Sequence, residues 1–203
     1  MKLKNVTLVL FIFLVLFGIN QAFAWKITPE LQKETNDKLA AVKENYYYPH
    51  PHFDLAITYA YTNKIKEGWD ELKKVNDLDS EFAPICLRMY INKVDENPND
   101  WKLRFRLAFA YYFNNKKLEA LTELKEVLKI DPKNVFAYGY IALIYGEMGK
   151  IDIAMENVRK GLAIDSNVAA LHALLADGYN KKGDSMRGLS EMVEALRLKA
   201  LGY

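Results

Sequence analysis

His50 and His52 stand one residue apart in the run Tyr46-Tyr47-Tyr48-Pro49-His50-Pro51-His52, and His172 lies far along the chain. Two imidazoles begin a zinc or copper site, but such a site needs further Cys, His or carboxylate ligands close by. None is clustered here, so the run reads as a tyrosine- and proline-rich connector, and no metal is expected. Cys86, the only cysteine, sits between Ile85 and Leu87 and reads as a buried apolar thiol, with an intermolecular disulfide as the alternative. It leaves no pair for an intrachain disulfide. Asp70, Glu71, Glu123 and Glu126 stand among lysines, the pattern of a solvated helix face. No glycine-rich phosphate loop, nucleophile motif or His-Glu metal motif occurs. The chain is therefore expected to be no enzyme and to carry no cofactor.

The elements around these residues repeat. Tyr111, Tyr145 and Tyr179 recur at a fixed period, in step with Leu107, Ile141 and Leu175, with Ala108, Ala142 and Ala176, and with Ala120, Ala154 and Gly188. A period of this size marks one small supersecondary unit copied and stacked. The clear units are 101–134, 135–168 and 169–203, each reading as two amphipathic helices joined by a tight turn. Asn114-Asn115, Gly149 and Gly183 occupy the turns, and Asn97-Pro98 and Asp131-Pro132 separate units. The register persists over 49–82 in Leu55-Ala56, Tyr59, Gly68 and Leu72. Residues 83–100 do not fit as a unit and read as an extra helix, about Pro84 to Val94. Thr28-Pro29-Glu30 starts another helix, expected to run to about Tyr46, with 25–48 as N-terminal helix and connector. Where two helices cross closely, one must carry a small side chain, the role given to Ala120, Ala154 and Gly188.

The first 24 residues read as an export signal: Lys2 and Lys4, the apolar run Leu8 to Phe17, and the small-x-small site Ala22-Phe23-Ala24. The expected location is periplasmic or extracellular after cleavage near Ala24, with an uncleaved membrane anchor as the alternative. The chain has 28 Lys plus Arg against 26 Asp plus Glu, and removing the leader takes away two lysines and no acid. The remaining chain is formally neutral and gives no electrostatic reason to bind nucleic acid.

This pattern resembles the tetratricopeptide repeat (TPR). The family's large-small-aromatic first helix matches Leu107-Ala108 with Tyr111, Ile141-Ala142 with Tyr145, and Leu175-Ala176 with Tyr179. Its second-helix positions match Ala120, Ala154 and Gly188, then Leu124, Val158 and Met192. The family's early tryptophan is absent; Arg104, Tyr138 and His172 hold that place. The expected fold is all-α: ten helices in a right-handed α-solenoid of helix-turn-helix repeats, with an extra N-terminal helix and one inserted helix, stabilised by neighbour contacts.

The resemblance implies that the first helices line a concave face, where related repeats hold peptides or partner helices. Helix 101–113 carries a second apolar stripe, Phe105, Phe109, Tyr112 and Phe113, and the next unit adds Phe136, Tyr140 and Leu143. Phe53, Ile57 and Tyr61 take equivalent places upstream, while the last unit offers Ala170, Ala173, Asp177 and Asn180. The alternative is that these rings pack between first helices or lie under helix 29–46. Lys102 and Arg106, one turn apart, complete the candidate groove. Some family members clamp a carboxylate with basic residues there, but Asp54 and Asp177 put acid at comparable places, so the two read as solvated charges. Leu198, Leu201 and Tyr203 end the chain without a following repeat, so they either fold onto the previous unit or contact another chain, and self-association is open. The expected function is a protein-protein interaction scaffold of the cell envelope, with a holdase capturing extended segments of many clients as the alternative.

Overall fold

The computed structural model describes residues 27–202; the leader read over 1–24 lies outside the described residues, as does Tyr203. Ten helices follow one another: α1 Pro29–Glu44, α2 Pro49–Ala60, α3 Ile65–Leu78, α4 Phe82–Glu96, α5 Trp101–Phe113, α6 Lys117–Ile130, α7 Val135–Glu147, α8 Ile151–Ile164, α9 Ala169–Lys181 and α10 Ser185–Ala200. No strand occurs among the described residues. α2 pairs with α3, α5 with α6, α7 with α8, and α9 with α10, and the later hairpins stack through α6 on α7 and α8 on α9.

The ends of the helices follow from their residues. Thr28 Oγ1 accepts from the Leu31 N–H at 3.3 Å, with Pro29 in the first turn. Asp100, Asn134 and Asp184 cap α5, α7 and α10 in the same way. Asn63, Asn115, Gly149 and Gly183 hold one place in four successive hairpins, and all four have positive φ, from 56° to 81°. Just after each, an N–H from Lys64, Lys116, Lys150 or Asp184 returns to the carbonyl of Tyr59, Tyr111, Tyr145 or Tyr179 at 2.9 to 3.0 Å. One turn geometry thus closes every hairpin.

The crossings are tight where small residues were expected. A Cβ placed on Gly68 would meet the Ala56 carbonyl oxygen at 3.0 Å, and one on Gly188 would meet the Ala176 carbonyl oxygen at 3.2 Å. Ala120 and Ala154 hold the same place in the middle hairpins and are buried. Backbone touches side-chain-poor backbone there, so packing is dense and intolerant of added volume.

Two helices break the regularity. α4 starts at Phe82, two residues before the helix read from the sequence, and packs along α5. Phe53 of α2 meets Phe82, Tyr90 and Phe113 at 5.6 to 6.1 Å, so one aromatic centre ties α2, α4 and α5 together. α1 ends at Glu44 rather than near Tyr46 and packs on α2 through Leu39 and Val42 against Leu55 and Tyr59. Cys86 is fully enclosed, and burial pushes its thiol pKa up, which keeps it protonated and unreactive.

Candidate binding groove

The place of the missing tryptophan is filled by polar ties. His52 Nδ1 lies 2.5 Å from Glu71 Oε2, and its Nε2 lies 2.8 Å from the Tyr46 carbonyl oxygen. His172 repeats this with Glu191 at 2.7 Å and the Ser166 carbonyl at 3.0 Å. Arg104 does the same, donating to Glu123 at 2.8 Å and to the Pro98 carbonyl at 2.6 Å. In each case one side chain joins a first helix, its second helix and the preceding loop. Glu71 and Glu123 are therefore not the solvated charges read from the sequence; their side chains are only 12% and 15% exposed. His52 is occupied in this way, and among the described residues no group of three His, Cys, Asp or Glu converges.

Aromatic rings link the first helices. Tyr61 of α2 meets Phe105 edge-on at 5.5 Å, Phe105 stacks on Phe109 at 5.5 Å, and Phe109 meets Tyr140 of α7 at 4.7 Å. Phe105 is fully buried, as the packing alternative expects, and is withdrawn from the groove for that reason. Phe109 and Phe136 are also largely buried, while Tyr112, Tyr140 and Leu143 remain partly open.

The reading of Lys102 and Arg106 as solvated charges is also corrected. Lys102 Nζ contacts Glu34 Oε2, and the Arg106 guanidinium lies 3.1 Å from Glu34 Oε1. Arg106 also donates to Thr58 Oγ1 at 3.0 Å and Tyr61 Oη at 2.9 Å, and the Tyr61 hydroxyl donates to Glu34. A carboxylate is clamped at these positions, and it is the chain's own, from α1. Beside it Asp54 takes Lys38 at 2.5 Å, the Tyr90 hydroxyl, and Arg106 Nε at 3.6 Å. Burial alone would raise the pKa values of Glu34 and Asp54. The Lys102, Tyr61 and Arg106 contacts at Glu34, and the Arg106, Lys38 and Tyr90 contacts at Asp54, outweigh it and hold both carboxyls below their usual range. Glu34 thus bridges α1 to α2 and α5, so α1 covers the N-terminal part of the first-helix face.

What stays open is an apolar pocket of about 310 Å³ further along. Phe136, Gly139, Tyr140 and Leu143 of α7 form one wall, and Val168, Ala170, Leu171, Ala173 and Leu174, at and before α9, form the other. Ile65 and Trp69 reach in from α3. Phe109 and Tyr112 continue this surface beneath Trp69. No charged side chain lines the pocket, and burial pushes the Tyr140 hydroxyl pKa up, keeping it neutral. Gly139, Ala170 and Ala173 supply no bulk, which is why space remains. Of the eight groove residues expected from the sequence, five gather here: Phe109, Tyr112, Phe136, Tyr140 and Leu143. Ile65 and Trp69 were not foreseen. They belong to a second helix, which a regular array keeps off the concave side. Trp69 nevertheless stays 42% exposed, a large ring left open on an amphipathic helix that buries Leu72 and Val75.

Residues 102–134 and 137–168 match the family described as tetratricopeptide repeat. The fold is a helical solenoid of tetratricopeptide-like helix-turn-helix repeats, and two of its hairpins carry the family's sequence pattern. Over 75 residues it is 35% identical to a TPR repeat-containing protein of Methanocaldococcus jannaschii, covering 37% of this chain and 13% of that one. It is 26% identical over 144 residues to a probable UDP-N-acetylglucosamine–peptide N-acetylglucosaminyltransferase, SPINDLY, of Hordeum vulgare, covering 66% and 15% of the two chains. The chain thus spans a small fraction of the curated relatives it matches. Among solved structures, that of YrrB, described as a TPR protein with an unusual peptide-binding site, superposes with a TM-score of 0.53. The two are 15% identical, and the overlap covers 80% of this chain and 92% of YrrB, a likeness of fold.

Proposed function

We propose that this repeat solenoid is a non-enzymatic scaffold that holds an apolar peptide segment or helix face of another protein in the pocket between α7, α9 and Trp69. The observation that carries the reading is the pocket itself: about 310 Å³, uncharged, and built on packed helices. Concave apolar cavities of this size with few polar groups are where proteins take ligands, and an amphipathic helix or apolar segment docks by laying side chains into such a groove. Tyr140 and Trp69 offer large rigid faces with a polar atom each, the chemistry of interface hot spots. The description of YrrB as peptide-binding agrees with this use of the fold.

The leader over 1–24 supports export, with the protein acting in the cell envelope after cleavage near Ala24. Cleavage is checked by sequencing the N-terminus of the purified protein. Function is tested by affinity purification from the native envelope fraction, with wild type beside Leu143→Glu, which puts a charge into the pocket wall. One or two partners lost in the variant support the scaffold. Many unfolded clients lost together indicate a holdase instead. Partners retained equally by both proteins would remove the pocket from the function.

A further inference from the structure

A second apolar surface lies away from the groove. α10 buries Gly188, Ala195 and Leu198 against α9. Its opposite face exposes Met186 (80%), Leu189 (60%), Val193 (57%) and Leu196 (60%), with Met192 (39%) beside them. The spacing of three, four and three residues is that of a coiled-coil seam, in which alternating apolar knobs enter holes on a facing helix. Leu198 folds onto the previous unit, the first of the two alternatives read from the sequence, so the seam is formed by other residues. We propose that a second copy of this chain seats on this seam, the two α10 helices packing antiparallel about a two-fold axis. The surface is distinct from the groove, and the inference does not depend on the groove reading.

Three features point to a second copy as the occupant. The first is area. Together with Leu201 these side chains present on the order of 600 Å² of apolar surface, at the upper limit of a monomer's largest patch, and approaching the ~800 Å² per partner of a standard interface. The second is self-complementarity, which a two-fold interface requires. In antiparallel register Met186 faces Leu196 of the other copy and Leu189 faces its Val193, so large and medium side chains alternate across the seam. The third is charge. A two-fold axis sets like beside like; Ser190 and Met192, which flank the axis, are uncharged, and Glu191 at its level is turned away to His172 at 2.7 Å. The charges flanking the seam are also tied down locally, Arg187 to Asp184 at 3.1 Å and Arg197 to Glu194 at 2.6 Å, so no unpaired like charges must be forced together. Antiparallel packing additionally opposes the two helix dipoles.

Sedimentation equilibrium of the purified protein tests this. The wild type is expected to show the mass of two chains at micromolar concentration. Leu189→Glu, which places a charge in the seam without touching the inner face, should weaken association by about tenfold or more, with an unchanged circular dichroism spectrum. Cysteine variants report the orientation, because Cys86 is enclosed and does not compete. Ser190→Cys should give a disulfide-linked dimer on mild oxidation, whereas Met186→Cys should not, since antiparallel packing holds its two copies apart. A wild type that remains a monomer throughout, or a dimer indifferent to Leu189→Glu, overturns the proposal. Efficient crosslinking through Met186→Cys overturns the antiparallel arrangement.

Discussion

His52 and Glu71 meet at 2.5 Å across the α2–α3 hairpin, with the imidazole enclosed and its second nitrogen held by the Tyr46 carbonyl. His172 with Glu191 and Arg104 with Glu123 repeat the contact at the same place in two other hairpins. A position given over to a large ring in related repeats here becomes a hydrogen-bonded strut.

Removing one end of a strut leaves the other without its partner, at a cost set by burial. Glu71→Ala is expected to lower stability by about 1–3 kcal/mol, because His52 has no water to turn to. Glu191→Ala should cost less, since the His172 side chain is 13% exposed and Glu191 25%. Chemical denaturation of both variants reads the difference. Equal losses would mean that the struts are not burial-dependent.

The clamp on Glu34 makes α1 part of the solenoid. Glu34→Gln removes the anion that Lys102 and the enclosed Arg106 share, and an under-compensated buried cation is destabilising by about 3 kcal/mol. Hydrogen exchange should locate that loss first in α1, as faster exchange over Pro29–Glu44. Uniform acceleration across all hairpins would show that α1 is not held independently.

Acid should act on the same place. Glu34 and Asp54 have folded pKa values below their ordinary ones. Each therefore contributes stability that is complete above the unfolded value, near 4, and is lost as pH falls through the depressed folded value. The expected outcome is a thermal midpoint that declines below about pH 4, with a shallower decline in Glu34→Gln. Identical acid limbs in the two proteins would contradict the assignment.

At the helix crossings volume is limiting. Ala154→Leu is expected to overpack the α7–α8 crossing, where Ala154 is 8% exposed, and to cost about 1–3 kcal/mol. The thermal midpoint checks this, and an unchanged value would contradict the crossing. Phe105→Ala should cost about 3–5 kcal/mol through the cavity it leaves, without changing which partners are captured, because Phe105 faces no open surface.

The repeat was legible because its cause is local. Leu107, Ala108, Tyr111 and Ala120 recur in register, and the turn residues Asn115, Gly149 and Gly183 each satisfy one backbone requirement. Asn63 belongs to the same series, in a first unit that is divergent elsewhere. The site was less legible because its parts meet over long separations. Glu34 is polar on a polar helix, and nothing near it in the chain indicates Lys102 and Arg106 as its partners. Lys102 and Arg106 stand one turn apart in the sequence, yet only the path of α1 decides that they face a carboxylate from within. Trp69 joins the pocket walls supplied by α7 and α9, a tertiary outcome with no periodic signature. The outer seam of α10 is not among the sequence expectations, because the helix phase that puts Leu198 inside and Leu196 outside depends on the contact with α9.

The most direct measurement places a photo-crosslinking amino acid at Ala173, in the pocket, and separately at Glu156 on α8, which is exposed and lines no part of it. Irradiation in the native cells should yield discrete polypeptide adducts from position 173, abolished by Leu143→Glu, and none of these from position 156. The same adducts at both positions, or adducts at 173 that survive Leu143→Glu, would contradict a solenoid whose open apolar pocket holds another protein.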